Sequence, residues 1–266
     1  MASSLLLFDQ PPSLLEMLIQ HQTKQAQLNK VLSQELAELW PLLVYGEKAV
    51  TYTEWLLRMA PLINQYALAA AAIGGAAYLG YRYLAVPNGY KFTAPSPSAP
   101  PFEQIARSLG WATRAVGPEA APETLAAALT QTQGAAQRIV TDQSRKALVE
   151  SVDGDPEARG WRRIPSGRET CAFCRLMTIR GPVYKSAQTA GRTANRGFVG
   201  HGEFKFHDHC DCIAVPIFRG KTPPQYKVPD HIEQMIEEWD HEYRVETGGY
   251  DGVDKLNAFR RAVEND

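Results

Sequence analysis

Two short stretches hold every cysteine of this chain. "CAFC" supplies Cys171 and Cys174, and "FHDHCDC" supplies Cys210 and Cys212 beside His207 and His209. Thiolate sulfur and imidazole nitrogen are the ligands that a tetrahedral zinc ion takes, four at a time. Two residues between cysteines let both sulfurs face one ion from a tight turn, so "CAFC" reads as half a site. The second stretch can complete it in three ways: His207 with Cys210, His209 with Cys212, or Cys210 with Cys212. His207 and Cys210 repeat the two-residue gap, whereas Cys210 and Cys212 would give an all-sulfur site. The candidate metal ligands are therefore Cys171, Cys174, His207, Cys210 and Cys212, five for four places. We expect Cys171, Cys174, Cys210 and either His207 or Cys212 to hold a structural zinc that closes the 35 residues between Cys174 and Cys210 into a loop.

Reduced core thiols and a disulfide pair are the competing readings of the same residues. Compartment weighs between them. The apolar run "SLLLF" has no basic region before it and no small-residue cleavage site after it, so no secretory signal is read. In a reducing cytosol this spacing favours a metal over a disulfide.

The elements that must position these residues divide the chain by composition. Residues 1–86 read as a helical region. From Pro12 to Leu39 the apolar positions Leu14, Leu15, Leu18, Ile19, Leu28, Val31, Leu32 and Leu36 recur mostly at three- and four-residue intervals. Ser13 with Glu16 makes a capping-box pattern at the start, and Pro41 ends the run. A second helical stretch covers about Tyr52 to Leu84, where Pro61 predicts a kink or a break into two helices. Its Ala- and Gly-rich end, Ala67 to Val86, is the sole membrane candidate. Arg82 interrupts it short of the roughly 20 apolar residues that a span needs, so a buried helix and no membrane partner are expected.

Residues 87–101 form a Pro/Ser/Ala-rich linker with little capacity to bury apolar surface. Residues 102–154 are helical again, with Leu125, Leu129, Ile139 and Leu148 as inward positions. The turn-rich "DGDPEARG" then marks a boundary. Residues 155–220 change grammar towards Gly, Pro, aromatics and β-prone pieces such as "GPVYK", "GFVG" and "CIAVPIF". Residues 221–266 form an acidic helical tail, with helices beginning at Asp230 and near Asp251, in which Met235 and Trp239 read as packing residues. The predicted fold class is α+β: a predominantly helical N-terminal half, a small zinc-stabilised α+β module, and a short helical C-terminal tail.

Charge separates the last two parts. The chain is 44% hydrophobic with a net charge of −1, which excludes a wholesale polyanion binder. Yet Arg159 to Arg219 carries eleven basic and four acidic residues, while the segment from Gly220 carries six basic and eleven acidic ones. A metal-pinned loop bearing Arg175, Arg180, Lys185, Arg192 and Arg196 would concentrate positive potential and could meet phosphates with little sequence preference. The acidic tail either folds back on this basic face or docks another partner.

"GWRRIPSGRETCAFCRLMTIRGPVYKSAQTAG" and the later "FHDHCDCIAVPIF" resemble the minor head proteins of actinobacterial tailed phages, relatives of the phage Mu F-like head morphogenesis proteins. His207, Cys210 and Cys212 match that family's approximate His-x-x-Cys-x-Cys motif. The resemblance covers about residues 155–220. It implies a minor head component in the virion, assembled in the cytoplasm of the host bacterium, with portal and major head or scaffold proteins as partners and packaged DNA within reach. Some members of this branch carry the name capsid maturation protease, so cleavage of head or scaffold proteins is the alternative function that it implies.

The residues themselves make an enzyme harder to write. "HGE", His201 to Glu203, looks like the His-x-Glu half of a zinc deaminase, but the paired cysteines precede it and Thr170 stands where the proline belongs. A protease needs a nucleophile beside an oriented base. Cys171 or Cys210 with a neighbouring histidine would serve only if not bound to metal. Nothing in the spacing of Ser166, Ser186, His201 and Asp208 singles one of them out.

Overall fold

The computed structural model describes residues 12–44, 48–87, 91–165, 170–181, 212–249 and 252–264. The capping box expected at Ser13 is present. The Glu16 amide donates to the Ser13 hydroxyl, and the Glu16 carboxylate accepts from the Ser13 amide at 2.6 Å. From there helix α1 runs Leu14–Leu39, with Leu14, Leu18, Leu32 and Leu36 buried. Ile19 and Val31, counted in its inward stripe, face solvent instead. The buried face is narrower than the apolar pattern, because His21 and Gln25 occupy its middle. Pro41 opens a further turn, α2 (Pro41–Val44).

Helix α3 (Lys48–Ala85) is one continuous helix through Pro61, so the break into two does not occur. By length and composition it is apolar enough to cross a membrane, and half of its most apolar window is buried inside the protein. Here it is the central helix of the fold. It packs on α1, on α4 (Phe102–Ala112) and most extensively on α5 (Pro122–Gly154). The Pro-rich stretch before α4 has no regular structure where it is described, but it is not idle. Phe92 packs against the core, its ring 5.4 Å from that of Tyr78. On α5, Ile139 and Leu148 are fully buried and Leu125 and Leu129 pack at the edge of the core, as their spacing predicts.

Strand β1 (Ala158–Ile164) follows, then the short helix α6 (Ala172–Ile179) and strand β2 (Ile213–Phe218). The strands pair antiparallel into a two-stranded sheet, with Trp161 opposite Pro216 and Ile164 opposite Ile213. "CIAVPIF" is thus a strand, as expected. "ARGWRRI" is a strand that the sequence reading passed over, and "GPVYK", "GFVG" and Tyr184 lie outside the described residues. A proline in a strand belongs on an edge. Here the Pro216 carbonyl accepts the Tyr226 hydroxyl at 2.8 Å, which closes the sheet at that point. A 3-10 turn (Pro224–Tyr226) leads to α7 (Asp230–Thr247) and α8 (Gly252–Glu264).

Two main clusters make the core. One joins α1, α3, α4 and α5 at their far end, around Trp55, Ile63, Leu109 and Ile139. The other joins the near end of α1, α3 and α5 to the sheet and α7, through Leu14, Tyr81, Leu148, Trp161, Val215, Phe218 and Trp239. A sheet of two strands cannot bury itself, and it obtains its core from the helices before residue 154. The corner between α5 and β1 is pinned electrostatically. Fully buried Asp155 accepts from Arg82 Nε at 2.5 Å, from the Tyr78 hydroxyl at 2.7 Å and from the Glu157 amide at 2.9 Å. Removing one partner of such a buried pair strands the other charge.

Candidate metal and polar site

The turn that carries "CAFC" is the start of α6. Cys171 is the N-cap, exposed, and its Sγ accepts the Cys174 amide at 3.5 Å. Cys174 lies in the first turn and is buried. Cys212 stands immediately before β2, also buried, and packs against Cys174 with Phe173 covering the pair.

Three of the five predicted ligands are therefore placed, and two of them touch across 38 residues of sequence. His207 and Cys210, together with His209, His201, Glu203 and Asp208, lie outside the described residues. Among the described residues no group of three or more His, Cys, Asp or Glu side chains comes together as a metal-binding set. The donor chemistry placed is the buried pair Cys174 and Cys212, with exposed Cys171 capping the same helix turn, and thiolates are ligands that zinc takes.

Cys212 is also tied to the helices. Its carbonyl accepts Arg145 Nη2 at 3.3 Å, and Arg145, buried on α5, donates to Asp142 at 3.1 Å. Beyond it lies a cavity of about 280 Å³ between α1, α5 and the start of β2, with several polar side chains in its lining. Gln25 and Asn29 donate to the Thr141 hydroxyl in its wall at 3.3 and 3.1 Å. His21 places Nδ1 3.3 Å from the Tyr81 hydroxyl and Nε2 3.2 Å from the Ser144 hydroxyl. Burial, with the charges of Arg145 and Lys24 adding to it, pushes its pKa down to about 4. Sequence reading missed this network entirely, since its members sit 60 to 123 residues apart.

A serine within reach of a histidine invites a nucleophilic reading, and the geometry opposes it. Ser144 is 1% exposed in the middle of a helix, and Tyr81, not a carboxylate, meets the other ring nitrogen. The pair ties α1, α3 and α5 together. Ser166 and Ser186 fall outside the described residues.

The acidic tail makes contacts within the fold. Helix α7 folds back on the basic segment. Arg162 of β1 donates to both oxygens of Glu233 at 2.7 and 3.2 Å. Arg175 of α6 donates to Glu242 at 3.2 Å and lies over the Trp239 ring. Arg175, expected on a metal-pinned basic loop, lies on α6 and is largely spent within the fold, and Lys185, Arg192 and Arg196 lie outside the described residues. Met235 and Trp239 pack the core as predicted.

A mostly helical chain with a small two-stranded sheet and cysteines beside it is the class of protein these features define, and family comparison places it. The chain belongs to the VG15 protein family, whose model matches residues 16–241, a span that takes in α1 through most of α7 and all the candidate ligands. It is similar to the gene 15 protein of Mycobacterium phage D29, 31% identical over 130 residues that cover 41% of this chain and 47% of that protein. It is similar to the gene 15 protein of Mycobacterium phage L5, 29% identical over 164 residues that cover 48% of this chain and 56% of that one. The chain spans about half the length of these curated relatives. No solved structure matches it. The resemblance to phage proteins read from the cysteine stretches therefore holds at the level of a bacteriophage protein of the gene 15 family.

Proposed function

We propose that this chain is a minor head morphogenesis protein of the Mu F-like kind in a tailed phage. It is a structural component of the virion, assembled in the host cytoplasm, that contacts portal and major head or scaffold proteins and packaged DNA. The observation that carries the reading is the buried contact of Cys174 with Cys212, which draws the two quoted motifs of the resemblance into one place. Cys171, Cys174 and Cys212, with Cys210 and His207 competing for the remaining place, would hold a zinc ion. When bound, the ion supplies a cross-link and no chemistry on a substrate. The chain's own residues do the rest: Cys171 caps α6, Phe173 covers the thiols, and Arg145 ties Cys212 to α5. The family membership and the two phage relatives support the phage assignment.

Two measurements test this. Metal analysis of purified protein should find zinc in a one-to-one ratio, and Cys174→Ser should lose it along with the slow reaction of the remaining thiols towards a probe. Mass spectrometry of purified particles should find the intact chain. Metal-free protein with fully reactive thiols would overturn the zinc site. Absence from particles, together with a cleaved head protein during co-expression, would favour the capsid maturation protease instead.

A further inference from the structure

Where on this molecule would a DNA backbone rest, given that Arg162 and Arg175 are held by glutamates? We propose that it rests in the groove between β2 and the start of α7, on the cations Arg219, Lys221 and Lys227. This deepens the DNA contact of the reading above and rests on it. The groove has a volume of about 450 Å³, and its lining includes Arg162 paired to Glu233 together with the three cations. All three are exposed, and among the described residues none of them is in an ion pair. With Asp230 as the one remaining opposing charge in the lining, the groove carries a net charge of +2. That sign is the reverse of the acidic segment to which Lys221 and Lys227 belong.

The loop bearing these cations is built to hold still. The Arg219 amide donates to the Glu157 carbonyl at 2.8 Å, which fixes where the chain leaves the sheet. Gly220 then turns it with φ +86°, a conformation other residues rarely adopt. Pro223 and Pro224 stiffen the path, Gln225 donates to the Leu84 carbonyl at 3.1 Å, and the Tyr226 hydroxyl donates to that of Pro216. A fixed backbone removes the cost of ordering the loop on binding and leaves only that of the three side chains. Neutralising phosphates with them releases counterions, which fits a partner of repeating charge and no particular sequence.

The test uses the 266-residue chain and a fluorescent duplex of about 20 base pairs and arbitrary sequence, read by anisotropy between about 50 and 200 mM salt. Replacing Arg219, Lys221 and Lys227 together by Gln should weaken binding at least about tenfold and reduce the slope of log affinity against log salt by about 2 to 3. A control with the same charge change elsewhere, Lys24, Lys30 and Arg107 to Gln, should bind within about twofold of the parent. The proposal fails if both triple variants lose affinity alike, because diffuse charge would then explain the binding. It fails equally if the groove variant matches the parent, or if the parent binds polyglutamate and not the duplex, which would make the partner an acidic protein. None of these outcomes touches zinc content or presence in the particle, so the head-protein reading is judged separately.

Discussion

A histidine that is neutral by burial stores a pH dependence, and His21 is that residue. Its pKa is near 6.5 when unfolded and about 4 in the fold. Between those values the unfolded chain binds a proton that the folded chain does not, so stability falls as pH drops through this window and is unaffected above it. The difference amounts to on the order of 3 kcal/mol once both states are protonated. The charged groups around the ring, Arg145 and Lys24, oppose the imidazolium, and the Tyr81 and Ser144 hydroxyls can serve the neutral ring without help. Thermal melts should therefore show a midpoint that declines from pH 6.5 to pH 4. The variant His21→Gln, less stable at neutral pH, should lose most of that decline. A parent and variant with parallel pH profiles would place the dependence elsewhere.

At the scale of elements, the crossing of α3 and α5 is decided by one atom that is missing. A Cβ on Gly74 would lie 2.0 Å from the Ser144 carbonyl oxygen, a backbone atom that cannot swing aside. Alanine there gains about 1 kcal/mol of helix propensity but forces the helices apart, and overpacking of this kind costs about 1–3 kcal/mol or more. The clash wins, and it also pulls Ser144 from His21. Its neighbour isolates the effect, since a Cβ on Gly75 meets only the Ala94 methyl at an ordinary 3.5 Å. Chemical denaturation should find Gly74→Ala destabilised and Gly75→Ala neutral or stabilised by up to about 1 kcal/mol. Nothing in "AAAAIGGAAYLG" told these glycines apart, because the sequence shows that a close approach exists and not which face makes it. The Ser13–Glu16 cap and the start of α7 at Asp230 were legible because they depend on neighbours in sequence. Strand β1 was not, since "RGWRRI" reads as charged until Arg162 finds Glu233. Spacing suggested that the two cysteine stretches meet, and Cys174 against Cys212 brings one cysteine of each together. The anchor of Cys212 at Arg145 was hidden, because a helix interior gives no sign that one arginine reaches a carbonyl 67 residues away.

For the whole molecule, the change of composition near residue 154 coincides with a change of secondary structure, yet the packing runs straight across it. Trp161, Val215 and Phe218 share a cluster with Leu14, Tyr81 and Leu148, while Leu36, Trp55, Ile63, Leu109 and Ile139 form another cluster built only from elements before that point. The two ends of the helical bundle should then respond differently to loss of everything after Gly154. In a fragment of residues 12–154 the far cluster keeps all its partners. The near cluster loses the sheet and α7, and Asp155 no longer pairs with Arg82 and Tyr78. Hydrogen exchange should find protection kept over residues 32–43, 55–70 and 128–140. It should be lost over 14–21, 77–85 and 145–154, since those amides would flank exposed core. Uniform protection in the fragment would mean that the helices need nothing from the sheet. Uniform loss would mean that the two clusters unfold as one, so that the sheet and α7 steady the far end of the bundle as well as the near one.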